Sequence, residues 1–84
     1  MLSDIVKERL TTALQPTHLD IIDESAEHLG HGASGAHFAI QLISPLFVGK
    51  STVTRHRMIY TALSGLIGGE IHAIQITAKA PNET

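Results

Sequence analysis

The feature that most constrains this chain is a change of apolar period, from two to 3.6 and back to two, between residues 36 and 79. From Ala36 to Ser44, Phe38, Ile40 and Leu42 alternate with His37, Ala39 and Gln41, as in a strand with one buried face. Pro45–Lys50 reads as a turn. Val53, His56, Tyr60, Leu63 and Ile67, widened by Ile59, Ala62 and Leu66, then form one helical stripe ending at Gly68-Gly69. Alternation returns from Ile71 to Lys79, where His72 shares a face with Ile74, Ile76 and Ala78. A strand, helix, strand unit of this length predicts a right-handed crossover between parallel strands.

Upstream, Leu2, Ile5, Val6, Leu10, Ala13 and Leu14 recur at helical spacing, Ser3 is placed to cap, and Gln15-Pro16 ends the pattern because proline disfavours helical geometry in the residue before it. Thr17–Asp23 alternates as a strand. Glu24–Gly35 holds three glycines and two histidines without a period, which makes it a long connection of the kind that often carries function. The expected fold is α+β with the order αββαβ, a three-stranded mixed sheet packed against its helices. One domain covers residues 1–80, followed by a short polar tail at 81–84. At 84 residues the chain buries only about 60% of its unfolded surface, which argues against a deep enclosed active site.

Composition narrows the chemistry. The absence of cysteine removes disulfides, thiolate nucleophiles and cysteine metal sites, so a metal would need histidine, carboxylate or a partner's sulfur. No apolar run reaches the roughly 18 residues of a membrane span, and no basic stretch followed by an apolar core opens the chain; a cytoplasmic location and no membrane partner are expected. Residues 1–44 carry two basic and six acidic side chains, whereas residues 45–84 carry four basic and two acidic. The second half can therefore offer an anion-binding face without making the protein a polycation.

If the first two strands pair antiparallel and the last two parallel, His28, His31, His37 and His72 meet at one end of the sheet. Imidazole ligates zinc, copper and iron, so this rim is a candidate metal site. The plainer alternative is exposed histidines around a satisfied strand histidine, because no protein carboxylate or thiol completes the shell. Lys50, Arg55, His56 and Arg57 gather positive charge at the start of the second helix, where phosphate could dock; a solvated charged face is the alternative. With only Phe38, Phe47 and Tyr60 aromatic, a base-stacking platform is not expected.

Other motifs fail inspection. Gly49-Lys50-Ser51 lacks the first glycine of a phosphate loop, since Ser44 stands there. Gly32-Ala33-Ser34-Gly35 lacks the spacing of a nucleophile elbow. Asp20, Asp23, Glu24 and Glu27 read as a solvated acidic edge. With no nucleophile, acid-base pair or cofactor loop, the chain is not expected to be an enzyme.

Phe47-Val48-Gly49, then Arg55-His56-Arg57-Met58-Ile59-Tyr60, then Ile71-His72-Ala73, resembles the signature of the BolA family, and Asp23-Glu24-Ser25 and His37-Phe38 strengthen the match. The resemblance covers nearly the whole chain and implies a fold like that of a class II KH domain. It further implies a non-enzymatic adaptor that binds a monothiol glutaredoxin and shares a [2Fe-2S] cluster, in iron-sulfur cluster assembly, trafficking or iron-status signalling. The thiolates would come from the glutaredoxin and glutathione. Facing them would be His72 of the third strand and a loop histidine, His28, with His31 and His37 as alternates. Histidine in place of thiolate implies a more oxidising, more labile cluster.

The resemblance also implies a second reading, a DNA-binding transcriptional regulator of stress response and cell morphology, for which Lys50, Arg55, His56 and Arg57 are the expected contacts. A homodimer is a further expected association. The chain departs from the family's usual continuation past the third strand by ending Ala80-Pro81-Asn82-Glu83-Thr84. Nor does it place a Gly-x-x-Gly loop between helices, since Gly65 and Gly68 lie at a helix end.

Overall fold

A computed structural model describes residues 2–24 and 36–83. Five main elements follow in the expected order: α1 (Leu2–Leu14), β1 (His18–Asp23), β2 (Ala36–Ile43), α2 (Thr52–Ala62) and β3 (Ile71–Lys79). Short 3-10 turns cover Pro45–Phe47 and Pro81–Glu83. The sheet order is β1-β2-β3, antiparallel between β1 and β2 and parallel between β2 and β3. The α+β architecture expected from the period change is the one observed.

Each element presents its apolar side to a single core. Leu2, Val6, Leu10 and Leu14 form the inward seam of α1 at fourfold spacing, with the last three buried. Ile5 points outward at 42% exposure. The helix already includes Ser3 in its first turn, so Ser3 does not cap it. Gln15 takes a left-handed φ of 48° ahead of Pro16, with its N–H donating to the Thr11 carbonyl at 3.1 Å.

Phe38, Ile40 and Leu42 are buried along β2 and register with Ile74, Ile76 and Ala78 of β3 and with Asp23, Ile21 and Leu19 of β1. Ser44 closes this layer: its buried Oγ donates to the Leu14 carbonyl at 2.5 Å and accepts from Leu46 N–H at 3.1 Å. One hydroxyl thus joins the end of α1 to the turn that sinks Phe47 into the core.

Helix α2 corrects the expected stripe. Its inward residues are Arg55 and Ile59, followed by Leu63 and Leu66, while Val53 and Tyr60 are 58% and 45% exposed. The helix also stops at Ala62. Gly65 and Gly68 adopt φ of 87° and 85° in the following turns, a region that interrupts the helix and suits glycine. Leu63 and Leu66 stay in the core without belonging to the helix.

Candidate functional site

The rim where β2 and β3 begin is shaped by a register shift. Ala36 partners Ile71, but His37 partners Ala73, so β3 has one residue more than β2 at this point and His72 is the extra one. A bulge of this kind re-aims side chains. His72 therefore does not join the core face with Ile74, Ile76 and Ala78 as simple alternation suggests; it is exposed. Its ring lies 5.0 Å from that of His37, centroid to centroid, at 41°. His37 is half-buried, on the opposite face of β2 from the core residue Phe38.

The segment between Glu24 and Ala36 is attached beside this pair. Glu24 N–H donates to the His37 carbonyl at 2.8 Å, and Ala36 N–H donates to the Glu70 carbonyl at 3.0 Å. His28 and His31 lie outside the described residues. The structure thus brings together His37 and His72 of the four rim histidines. Next to His37, a cleft of about 90 Å³ is lined by Glu24, His37, Phe38, Ala73, Ile74 and Gln75. It has room for a few waters only. Anything larger held by these imidazoles sits at the surface, within reach of a second protein. Among the described residues no group of three or more histidine and acidic side chains converges on a metal position, so the two imidazoles fit part of a coordination shell, not a whole one.

The remaining histidines lie elsewhere. His18, at the far end of β1, pairs with Asp20 at 2.9 Å, both exposed. His56 is half-buried on α2.

The basic start of α2 divides in two. Lys50 and Arg57 are exposed, and Ser51 caps the helix by accepting from Thr54 N–H at 3.1 Å. Arg55, expected as a phosphate contact, is instead 7% exposed, with both terminal nitrogens turned to partners within the fold. Its Nη1 and Nη2 donate to the two carboxylate oxygens of Glu83 at 2.6 and 2.7 Å, a two-pronged pair. The same nitrogens donate to the Ala78 carbonyl at 3.2 Å and the Phe47 carbonyl at 2.9 Å. The guanidinium carbon lies 5.8 Å from the Phe47 ring centre. A buried guanidinium needs such partners, because desolvation without them is costly.

Glu83 responds in kind. The Arg55 hydrogen bond first, and then the Ala80 N–H at 2.9 Å, hold its carboxyl well below its ordinary 4.5, at about 2. Sequence reasoning missed this pair. The available signal was Arg55 itself, which completes the stripe Arg55, Ile59, Leu63 and Leu66 at helical spacing.

The family model of BolA-like proteins matches residues 10–83. The chain belongs to the BolA-like family. Relatives of this BolA-like chain differ in how much surrounds the shared domain. The chain is 36% identical to the DNA-binding transcriptional regulator BolA of Escherichia coli (strain K12), over 90% of this chain and 72% of that protein. It is 38% identical to SufE-like protein 1, chloroplastic/mitochondrial, of Arabidopsis thaliana, over 93% of this chain but only 23% of that protein. Among solved structures, BolA1 from Arabidopsis thaliana superposes with a TM-score of 0.85 at 32% identity, covering 96% of this chain and 93% of that one. None of the described helices is long and apolar enough to cross a membrane.

Proposed function

We propose that this BolA-like chain is a non-enzymatic adaptor that pairs with a monothiol glutaredoxin and shares a [2Fe-2S] cluster at the rim of its sheet. The observation that carries the reading is the meeting of the half-buried His37 and the exposed His72, their rings 5.0 Å apart and beside both attachment points of the segment that bears His28 and His31. His72 is the first ligand. The second is His28, with His31 and His37 as alternates, and the His37 ring already lies 5.0 Å from that of His72. Two imidazoles leave half of a cluster's shell to sulfur from outside, which suits a chain without cysteine. When bound, the cluster would supply electron acceptance and a transferable iron-sulfur unit; the chain's own residues position imidazoles and leave the site open. Membership of the family also supports assembly, trafficking or iron-status signalling in the cytoplasm as the setting.

The test is reconstitution of the cluster with a monothiol glutaredoxin and glutathione. His72→Ala is expected to change the visible absorption and circular dichroism bands and to hasten cluster loss. His28→Ala, His31→Ala and His37→Ala identify the second ligand as the one that reproduces the change. Spectra and lability identical to wild type in His72→Ala would overturn the reading.

A second reading, a DNA-binding transcriptional regulator, is supported by the exposed Lys50 and Arg57 beside the capped start of α2 and by the similarity to the Escherichia coli regulator. In this reading Arg55 positions the turn at Phe47 and does not contact phosphate.

A further inference from the structure

We propose that the Arg55 pocket is a carboxylate-binding site, filled in cis by Glu83 and able to take an acidic side chain of a partner protein when the turn Pro81–Glu83 moves aside. The inference is independent of the histidine rim. Three donors surround the Glu83 carboxylate: Arg55 Nη1 at 2.6 Å, Arg55 Nη2 at 2.7 Å and Ala80 N–H at 2.9 Å. None of the three depends on the Glu83 side chain for its position. Arg55 is tied to the carbonyls of Phe47 and Ala78, and both Phe47 and Ala80 are fully buried. With Glu83 withdrawn, a preorganised fork of donors remains on a buried guanidinium.

The occupant is held differently from its receptor. No residue of the turn Pro81–Glu83 is buried, and the Glu83 side chain keeps 42% of its surface in solvent. Segments with little buried surface open at low cost. The Arg55 guanidinium, by contrast, cannot follow the turn outward without losing its two carbonyl partners. Lys79 adds attraction for an anion at the same position. Lys50 N–H donates to the Phe47 carbonyl at 3.0 Å, which sets the Lys50 backbone beside the carbonyl that holds Arg55. The charge acting on the carboxylate comes from Arg55 and Lys79, and the chemistry the Arg55 fork selects is a planar, two-oxygen anion. A carboxylate is the class already seen in place, with both oxygens used.

The test is chemical rescue in the full chain. In Glu83→Ala, acetate is expected to shift the Arg55 Nε–H resonance saturably and to raise the thermal midpoint, with chloride at matched ionic strength doing neither. A tethered carboxylate competes at an effective concentration in the millimolar range, so wild type should need at least about tenfold more acetate for the same shift. A blocked Pro-Asn-Glu peptide should act below the acetate concentration, and its glutamine counterpart should not act. Arg55→Lys in the Glu83→Ala background should abolish the response. Glu83→Gln, which keeps an acceptor oxygen on Arg55, is titrated alongside. Absence of an acetate-specific response in both variants overturns the proposal, as does a chain that folds only with Glu83 intact, since its pocket could never stand open.

Discussion

Single residues carry unusual weight in a chain of this size because few groups stitch its elements together. Ser44 is the clearest case: fully buried, it satisfies the last-turn carbonyl oxygen of Leu14 and the N–H of Leu46 with one hydroxyl. Ser44→Ala removes both bonds and leaves the Leu14 carbonyl, on a buried residue, without this partner. The expected loss is about 1–3 kcal/mol, read as a lower urea midpoint with an unchanged slope. Arg55 works similarly, but its partners come from three places: the turn at Phe47, the end of β3 at Ala78 and the chain's tail at Glu83.

At the scale of elements, the strands were the most legible part of the sequence. The third matches its expected span, Ile71–Lys79, and the second differs by one residue at its end, Ile43 in place of Ser44. Alternation suffices there because each strand has one face on the core. It fails at His72, where an extra residue changes the pairing while leaving the local pattern of residue types readable in either phase. Helix α2 was misphased for a different reason. A rule that places apolar residues inward cannot select Arg55, whose polar partners are two backbone carbonyls and a glutamate 28 positions later. His37 and His72 were legible as neighbours because topology, not side-chain detail, brings them together. The Glu83 contact also gives this end of the fold an acid dependence. A carboxyl whose folded value is lowered to about 2 from 4.5 contributes stability that is fully present above about pH 4.5 and lost as pH falls toward 2. Thermal midpoints should therefore decline more steeply over that interval in wild type than in Glu83→Gln.

Over the whole molecule, both helices lie on one face of the sheet, and charge is divided between the halves of the chain. The exposed basic groups at the start of α2 are few. Should DNA bind there, Lys50 and Arg57 predict about two phosphate contacts and a slope of log affinity against log salt near −2. Lys50→Ala and Arg57→Ala should each reduce that slope by about one unit. Titrations at several salt concentrations check it, and no binding at low salt removes the regulator reading. Arg55→Lys is expected to lower stability without a matching change in slope, which separates a structural arginine from a phosphate contact.

The hydrogen bonds at Glu24 and Ala36 fasten both ends of the stretch between them to the sheet, one to His37 and the other to Glu70. Its length and composition can thus be edited with little penalty to the core, since closing a longer connection costs only slowly more entropy. The sheet is thereby anchored at Glu24 and Ala36 by its own backbone, so substitutions between these two positions are expected to leave the core as it is.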